Sequence, residues 1–467
     1  MSTEKIEFDT LIKDNKIFYT DNYIDVQADN DAWFENIIFS KCFSLSNMGI
    51  NYENHNITTL TSKDNSKSTY IFNFYEIATP SNIKTLIFSD CTFKKEPIIR
   101  TEGIKSIQFY NCKFDGDIYN LLILKSSIEN LDIIFNNCTI LRITINPIGK
   151  KKYELNTFQI NEGSIEHLEI FNTTFENELY INKQYNKNKN ITKINELIIK
   201  NSTFKENFKL HNCEVQQVYI EDVDYEKHAD FYMSNFKKGL EYNKIDDTEK
   251  EDLNIYFKAI NFKGLAIFGD CTFQEKLTFE WVTFESFSHF RRTRFYKGLD
   301  LDYTNIEEEM NFFSVQKLDT EISKKNTSQE TYRIIKHNFE KIENKIEANK
   351  YHALELEKKL KDKDTTKSEK IILWLNWAIS NNGTNWIRPL ILIFLIGMAT
   401  TFSIHWGQEF SCENILKGLS ESFKHIYILY KDNDLWSQHP IILALNKFSL
   451  GYLYYQFLIS VRKDTRK

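Results

Sequence analysis

Glycine and proline are scarce in this chain, 14 and 5 of 467 residues, which excludes a collagen-like polymer and a long flexible linker. An excess of either charge is also missing. With 59 basic and 65 acidic residues the net charge is only −6, so there is no broad electrostatic footprint for nucleic acid. The seven cysteines are an odd number, and none forms a Cys-x-x-Cys pair, which argues against a disulfide framework and a metal site. Without a leader-like start they fit a reducing cytosol. No nucleophile elbow, phosphate-cradling glycine loop, dinucleotide fingerprint or zinc-protease helix is found. His211, His228 and His289 stand without an evident carboxylate or serine partner, and Glu307, Glu308 and Glu309 adjoin one another rather than facing across a cleft. The expectation is a non-enzymatic protein with no catalytic residue, cofactor or metal.

What the chain does contain is a recurring phrase: Asn or Asp, a small residue, any residue, then Phe or an aliphatic. It occurs as Asp90-Cys91-Thr92-Phe93, Asn111-Cys112-Lys113-Phe114, Asn137-Cys138-Thr139-Ile140, Asn172-Thr173-Thr174-Phe175, Asn201-Ser202-Thr203-Phe204, Asn212-Cys213-Glu214-Val215 and Asp270-Cys271-Thr272-Phe273. The small residue and the aromatic are two apart, so in an extended segment both point to one face. That face is expected to be the inside, with Lys113, Glu214 and Arg294 reaching solvent. The Asn or Asp suits a corner, since its side chain can bond nearby backbone groups. In later copies Val282, Thr293 and Thr304 keep the small position while the corner drifts to Trp281, Arg292 and Tyr303. The predicted inward set is Cys91, Phe93, Cys112, Phe114, Cys138, Ile140, Cys213, Cys271, Phe273, Phe284 and Phe295. Interchange of Cys with Thr, Ser and Val at one position indicates packing.

Phe273, Phe284, Phe295 and Ile306 recur every 11 residues, and Phe93 and Phe114 are 21 apart. Half-coils of this size predict a solenoid, with stretches such as 183–190 looped out. The repeat resembles that of the pentapeptide-repeat proteins, whose unit places a small residue two before a central Leu or Phe. The resemblance covers roughly residues 30–310 and implies a mainly β fold, a right-handed quadrilateral β-helix. Phrases such as Ile165-Glu166-His167-Leu168-Glu169-Ile170 also fit leucine-rich repeats; the half-coil spacing favours the β-helix.

The expected organisation is an N-terminal cap over 1–30, the degenerate repeat over 31–310, a helical hairpin cap over 327–362, a linker and amphipathic helix over 363–387, and a transmembrane hairpin over 388–467. Thr327 and Glu330 have capping-box spacing, followed by Tyr332, Ile335, Phe339 and Ile342 on one helical face. Asn344 breaks the run before a second helix with Ala348, Tyr351 and Leu354 inward. Glu355 to Lys370 reads as a solvated charged face. Pro389–Trp406 is apolar and long enough for a bilayer core of roughly 30 Å. Pro440–Val461 is a second candidate, with Lys447 expected to snorkel. Arg388, Arg462, Lys463, Arg466 and Lys467 put both outer ends on the cytoplasmic side.

Trp374-Leu375-Asn376-Trp377, Asn382-Gly383, Trp386-Ile387-Arg388-Pro389-Leu390 and the ending Gly451-Tyr452-Leu453-Tyr454-Tyr455-Gln456-Phe457 resemble the tail of membrane-associated bacterial pentapeptide-repeat proteins. In that group the hairpin sometimes resembles a two-span channel module. Ile415–Tyr430 would be its pore helix and Asp432, Asp434 and Lys447 its mouth residues, but no filter sequence follows. The resulting expectation is an inner-membrane-anchored β-helical scaffold or sensor. Its cytoplasmic solenoid would bind a protein partner, its hairpin would meet membrane lipid, and it would form a homo-oligomer if the hairpin is channel-like or a membrane-acting effector. The alternative is a DNA-mimic acting on a topoisomerase or another DNA-binding protein, with Asp222, Asp224, Glu280, Asp300 and Asp302 on its acidic face. Nucleic acid itself is not expected as a partner.

Overall fold

The computed structural model describes residues 106–119, 131–146, 155–182, 191–240, 253–404, 412–430 and 433–465, and upstream only short strand backbones between residues 17 and 100. Asp90, Cys91, the 183–190 insertion, His405 and Asp432 lie outside the described residues, as does most of the expected N-terminal cap. Two compact units result, 1–326 and 327–467.

The first unit is a parallel β-solenoid. One column runs through Ile107, Ile133, Phe158, Leu179, Phe208 and Ala229, each paired in parallel register with the next. In the later coils Phe257 pairs with Phe279, Phe262 with Phe284, and Phe273 with Phe295. Phe257, Phe262, Phe268 and Phe273 are all fully buried, giving four inward positions before the column repeats at Phe279. The steps between them alternate between five and six residues, which is why the half-coil is 11 long rather than 10. Coils spaced about 4.8 Å apart bring like rings into face-to-face contact. Phe268 and Phe290 stack at 4.9 Å and 9°, and Phe262 and Phe284 at 5.0 Å and 11°.

The sequence reading missed a short helix, α1 (Glu321–Asn326), that follows the last coil. Ser323 Oγ donates to the carbonyls of Phe295 and Tyr296 at 2.9 and 3.1 Å, and Asn326 Nδ2 to that of Lys297 at 2.8 Å. These side chains occupy carbonyls that a further coil would otherwise have used.

The second unit is helical. Helices α2 (Gln329–Lys341) and α3 (Lys345–Lys361) form a hairpin in which Tyr332, Ile335, Phe339, Ala348, Tyr351 and Leu354 are buried. The N-cap is Ser328, whose Oγ accepts from Thr331 N, and not Thr327. Ile342 falls at the C-cap and is 52% exposed, so it leaves the inward face where the periodicity had put it. There follow α4 (Lys367–Ser380), α5 (Ile387–Ile404), α6 (Cys412–Ile426), α7 (Asn433–Gln438) and α8 (Pro440–Thr465). Among the described residues one helix, α5, is long and apolar enough to cross a membrane.

Candidate functional site

Two features of the solenoid decide what its surface offers: the corner and the residue after it. Asn111, Asn137, Asn172, Asn201, Asn212 and Asp270 all have φ between 48° and 55°. Short polar side chains tolerate this left-handed conformation best after glycine, which is the reason for Asn and Asp here. The turn aims each backbone N–H at the neighbouring coil, as in Asn111 N to Asn136 O at 2.9 Å and Asp270 N to Arg291 O at 2.9 Å. The side chains form ladders between coils instead of the local bonds expected of them. Asn137 Nδ2 donates to Asn111 Oδ1 at 2.8 Å, and Asn201 Nδ2 to Asn172 Oδ1 at 3.2 Å. At the drifted corner Arg292 donates to both oxygens of Asp270 and holds its carboxyl below the usual range.

The small position also has a bonding role. Cys112 Sγ, Thr173 Oγ1, Ser202 Oγ and Cys213 Sγ each donate to the carbonyl two residues earlier, at 3.3, 2.6, 2.8 and 3.2 Å. Cys, Ser and Thr interchange because all three are small and carry a donor. Cys112, Cys138, Cys213 and Cys271 are buried, and burial pushes the thiols of the last three well above the ordinary range, so those three are poor nucleophiles. Phe114, Ile140, Phe273, Phe284 and Phe295 are buried as well, and Phe93 is in register with Phe114.

On the outside, acids and bases pair from coil to coil. Lys205 meets Glu176 at 2.7 Å, Lys276 meets Asp300 at 2.6 Å, and Lys297 meets Glu275 at 2.7 Å. Burial opposes ionisation of Glu221, but hydrogen bonds from Tyr219 and Lys200 and the nearby Lys258 outweigh it and lower its pKa. His211 has a partner that the sequence did not reveal, Asp230 at 2.7 Å, and His167 bonds Glu196. Each pair is a histidine and one carboxylate, and among the described residues no group of three potential metal ligands is assembled.

Large aromatics interrupt this charged surface near one corner, left-handed at Trp281 (φ 55°) but not at Tyr303. Trp281 is 61% exposed and Tyr303 is 68% exposed. They sit on successive coils, where Glu280 pairs with Tyr303 and Val282 with Thr304. Lys258 Nζ lies 5.5 Å from the Trp281 ring. The sequence showed these residues only as drifted corners. A bulky aromatic where the repeat carries Asn or Asp was the available signal of these exposed rings.

In the helical unit the α2–α3 hairpin has an ordinary apolar interior, whereas α4 to α8 add a set of buried polar side chains to a small apolar core of Ile393, Leu450 and Leu453 and leave many apolar side chains outside. Ser380, Thr400, Thr401, Ser422, Asn446, Gln456 and Ser460 are buried, while Ile391, Leu395, Phe402, Leu445, Phe448 and Leu458 are exposed. The buried groups bond across helices: Asn446 Nδ2 to Thr400 Oγ1 at 2.8 Å, and Ser422 Oγ to Thr401 Oγ1 at 3.1 Å. The two tail motifs meet in the same way. Asn376 Oδ1 accepts from Tyr452 Oη at 2.8 Å and from Gln456 Nε2 at 2.9 Å, while Ser380 Oγ donates to Gln456 Oε1 at 2.9 Å. At the crossing of α5 and α6 a Cβ on Gly397 would lie 2.5 Å from Ile426 Cγ1, so glycine permits the approach. Lys447 Nζ donates to the carbonyl of Tyr427 at 2.9 Å, capping the end of α6 rather than reaching away from the protein. Asp434 lies in the first turn of α7. Glu355, expected in a solvated run, is instead buried among Lys336, Arg333 and His352.

Residues 257–305 match the family model described as pentapeptide repeats (9 copies). No curated protein and no solved structure matches the chain. The matched segment covers the coils with alternating five- and six-residue steps and stacked phenylalanine columns, and on that agreement of repeat and fold the chain contains a pentapeptide-repeat β-solenoid.

Proposed function

We propose that this protein is a non-enzymatic scaffold anchored in a membrane, with its solenoid in the cytoplasm presenting a face to a protein partner. The observation that carries the reading is the apolar outer face of α5 and α8, set against polar side chains buried between the helices. In water, exposed Ile391, Leu395, Phe402, Phe448 and Leu458 would form a large aggregation-prone surface, and lipid is the solvent that suits it. The buried Thr, Ser, Asn and Gln side chains are the kind of interhelical bonds that hold helices together where hydrophobic burial gives no advantage. Trp281 and Tyr303 make the contact face, because exposed aromatics of this kind are enriched where proteins bind one another. Pairing of Asp300 with Lys276 and Asp270 with Arg292 offsets the acidic surface that imitation of duplex DNA would require.

The test is fractionation of the full-length protein from bacterial membranes. Retention through an alkaline carbonate wash is expected, with release when Ile391→Lys and Leu395→Lys are combined. Recovery of the unaltered protein in the soluble fraction would overturn the anchor.

A further inference from the structure

Among the described residues, helix α4 presents several exposed apolar side chains. Ile371, Ile372 and Trp374 are 61%, 59% and 54% exposed, and Trp377 is 39% exposed. Part of the helix is committed: Asn376 and Ser380 bond to Tyr452 and Gln456 of α8. Ile372, one turn before Asn376, shares their side, whereas Ile371 and Trp374 fall on the far side of the helix and are turned away from those contacts. The start of the helix is fixed by a capping box between Thr366 and Glu369. Lys367 precedes Ile371 by four residues, and Lys370 precedes Trp374 by four, so each cation stands one turn from an exposed apolar side chain on the same side of the helix. Bases outnumber acids six to three over residues 358–370. At the other end, the turn through Asn381, Asn382 and Gly383 leads to Trp386 and Ile387, 39% and 49% exposed, and then to the exposed apolar residues of α5.

We infer that α4 is an interfacial helix that lies in the headgroup layer of an anionic membrane, a conclusion that rests on the anchored reading above. Three observations converge on lipid as the occupant. The apolar residues are continuous along the chain with the helix that is long enough to cross a bilayer. The tryptophans are of the type that concentrates at membrane–water boundaries. The flanking lysines complement anionic headgroups, and a helix with aromatic and aliphatic residues beside lysines has the composition of one lying in the interfacial plane. Pinned by Asn376 and Ser380, α4 would hold the α2–α3 hairpin at the lipid surface, since Asn382 Nδ2 donates to Ala353 O and Asn349 Nδ2 to Lys463 O.

The experiment places a photo-crosslinking p-benzoylphenylalanine at Ile371, or separately at Leu395, in the full-length protein. Each form is reconstituted into vesicles of phosphatidylcholine alone or mixed with phosphatidylglycerol, and lipid adducts are read by mass. Both positions are expected to give lipid adducts in the mixed vesicles. The yield at residue 371 should fall about fivefold with Lys367→Glu and Lys370→Glu or in phosphatidylcholine alone, while that at 395 stays unchanged. Lipid adducts at 395 but none at 371 would overturn the interfacial helix and leave the anchor standing. Adducts to protein at 371 would overturn it too, by showing that another chain covers the helix. A yield at 371 indifferent to both lysines and headgroup charge would overturn anionic recognition. Absence of lipid adducts at both positions would remove the anchor itself.

Discussion

A left-handed backbone at each corner is the constraint that selects residues in the solenoid. At Asn201, φ is 49°, a conformation that a β-branched side chain opposes by about 1–2 kcal/mol. Asn201→Val should therefore lower the denaturation midpoint of the full-length protein in detergent, whereas Asn201→Gly, which loses only the exposed bond to Asn172, should stay close to the parent. Tyr225 makes the opposite case. It stacks between Phe204 and Phe262 at 5.2 Å, yet its hydroxyl is buried without a hydrogen-bond partner, and burial raises its pKa. Tyr225→Phe should stabilise the protein by about 1–3 kcal/mol, measured by the same denaturation, because it removes an unmet polar group and keeps the ring.

At the scale of elements, the α2–α3 hairpin depends on Glu355. Burial alone would raise its pKa, but hydrogen bonds from His352, Lys336 and Arg333 outweigh it and hold the group at about 2, below its ordinary 4.5. A carboxyl whose pKa is depressed on folding stabilises the fold fully above its unfolded value, so this contribution should be lost as pH falls from about 4.5 towards about 2. Amide exchange in α3 followed against pH should show that loss, and Glu355→Gln should show weaker protection at neutral pH with no step in the acid range. The α5–α6 crossing gives a steric prediction. Gly397→Leu should expose α6 to protease, and Ile426→Ala in the same chain should restore part of the protection, because Ile426 Cγ1 is the nearest atom to the added side chain. Failure of that rescue would mean that the Ser422 carbonyl, 3.0 Å away and part of the backbone, sets the limit.

For the whole molecule, the anchored-scaffold reading predicts a monomer or dimer when the molar mass of the full-length protein is measured in detergent and corrected for bound detergent. An assembly of four or more chains would instead favour a pore, since two helices cannot enclose a channel. Lys447 bears on the choice: its ammonium is committed to the Tyr427 carbonyl at the end of α6, which makes it an element of helix packing before any role at a pore mouth.

Much of the fold was legible because the repeat imposes a local rule, a small residue and an aromatic or aliphatic residue two apart, that recurs along the solenoid. Burial of Cys112, Phe114, Phe273 and Phe295 follows from that spacing, while the apolar length of α5 and the break at Asn344 were legible from hydropathy and helix-capping chemistry. Other features depend on residues distant in sequence, and only the tertiary structure decided them. Asp230 reaches His211 across one coil, and Lys336 reaches Glu355 across a hairpin. Asn376 meets Gln456 although 80 residues separate them. The physical reason is the range of the forces involved. Strand alternation and hydropathy act between near neighbours and leave a periodic trace, whereas a hydrogen bond or ion pair requires its partner within about 3 Å, a condition that coil stacking and helix packing create without leaving any pattern in the sequence.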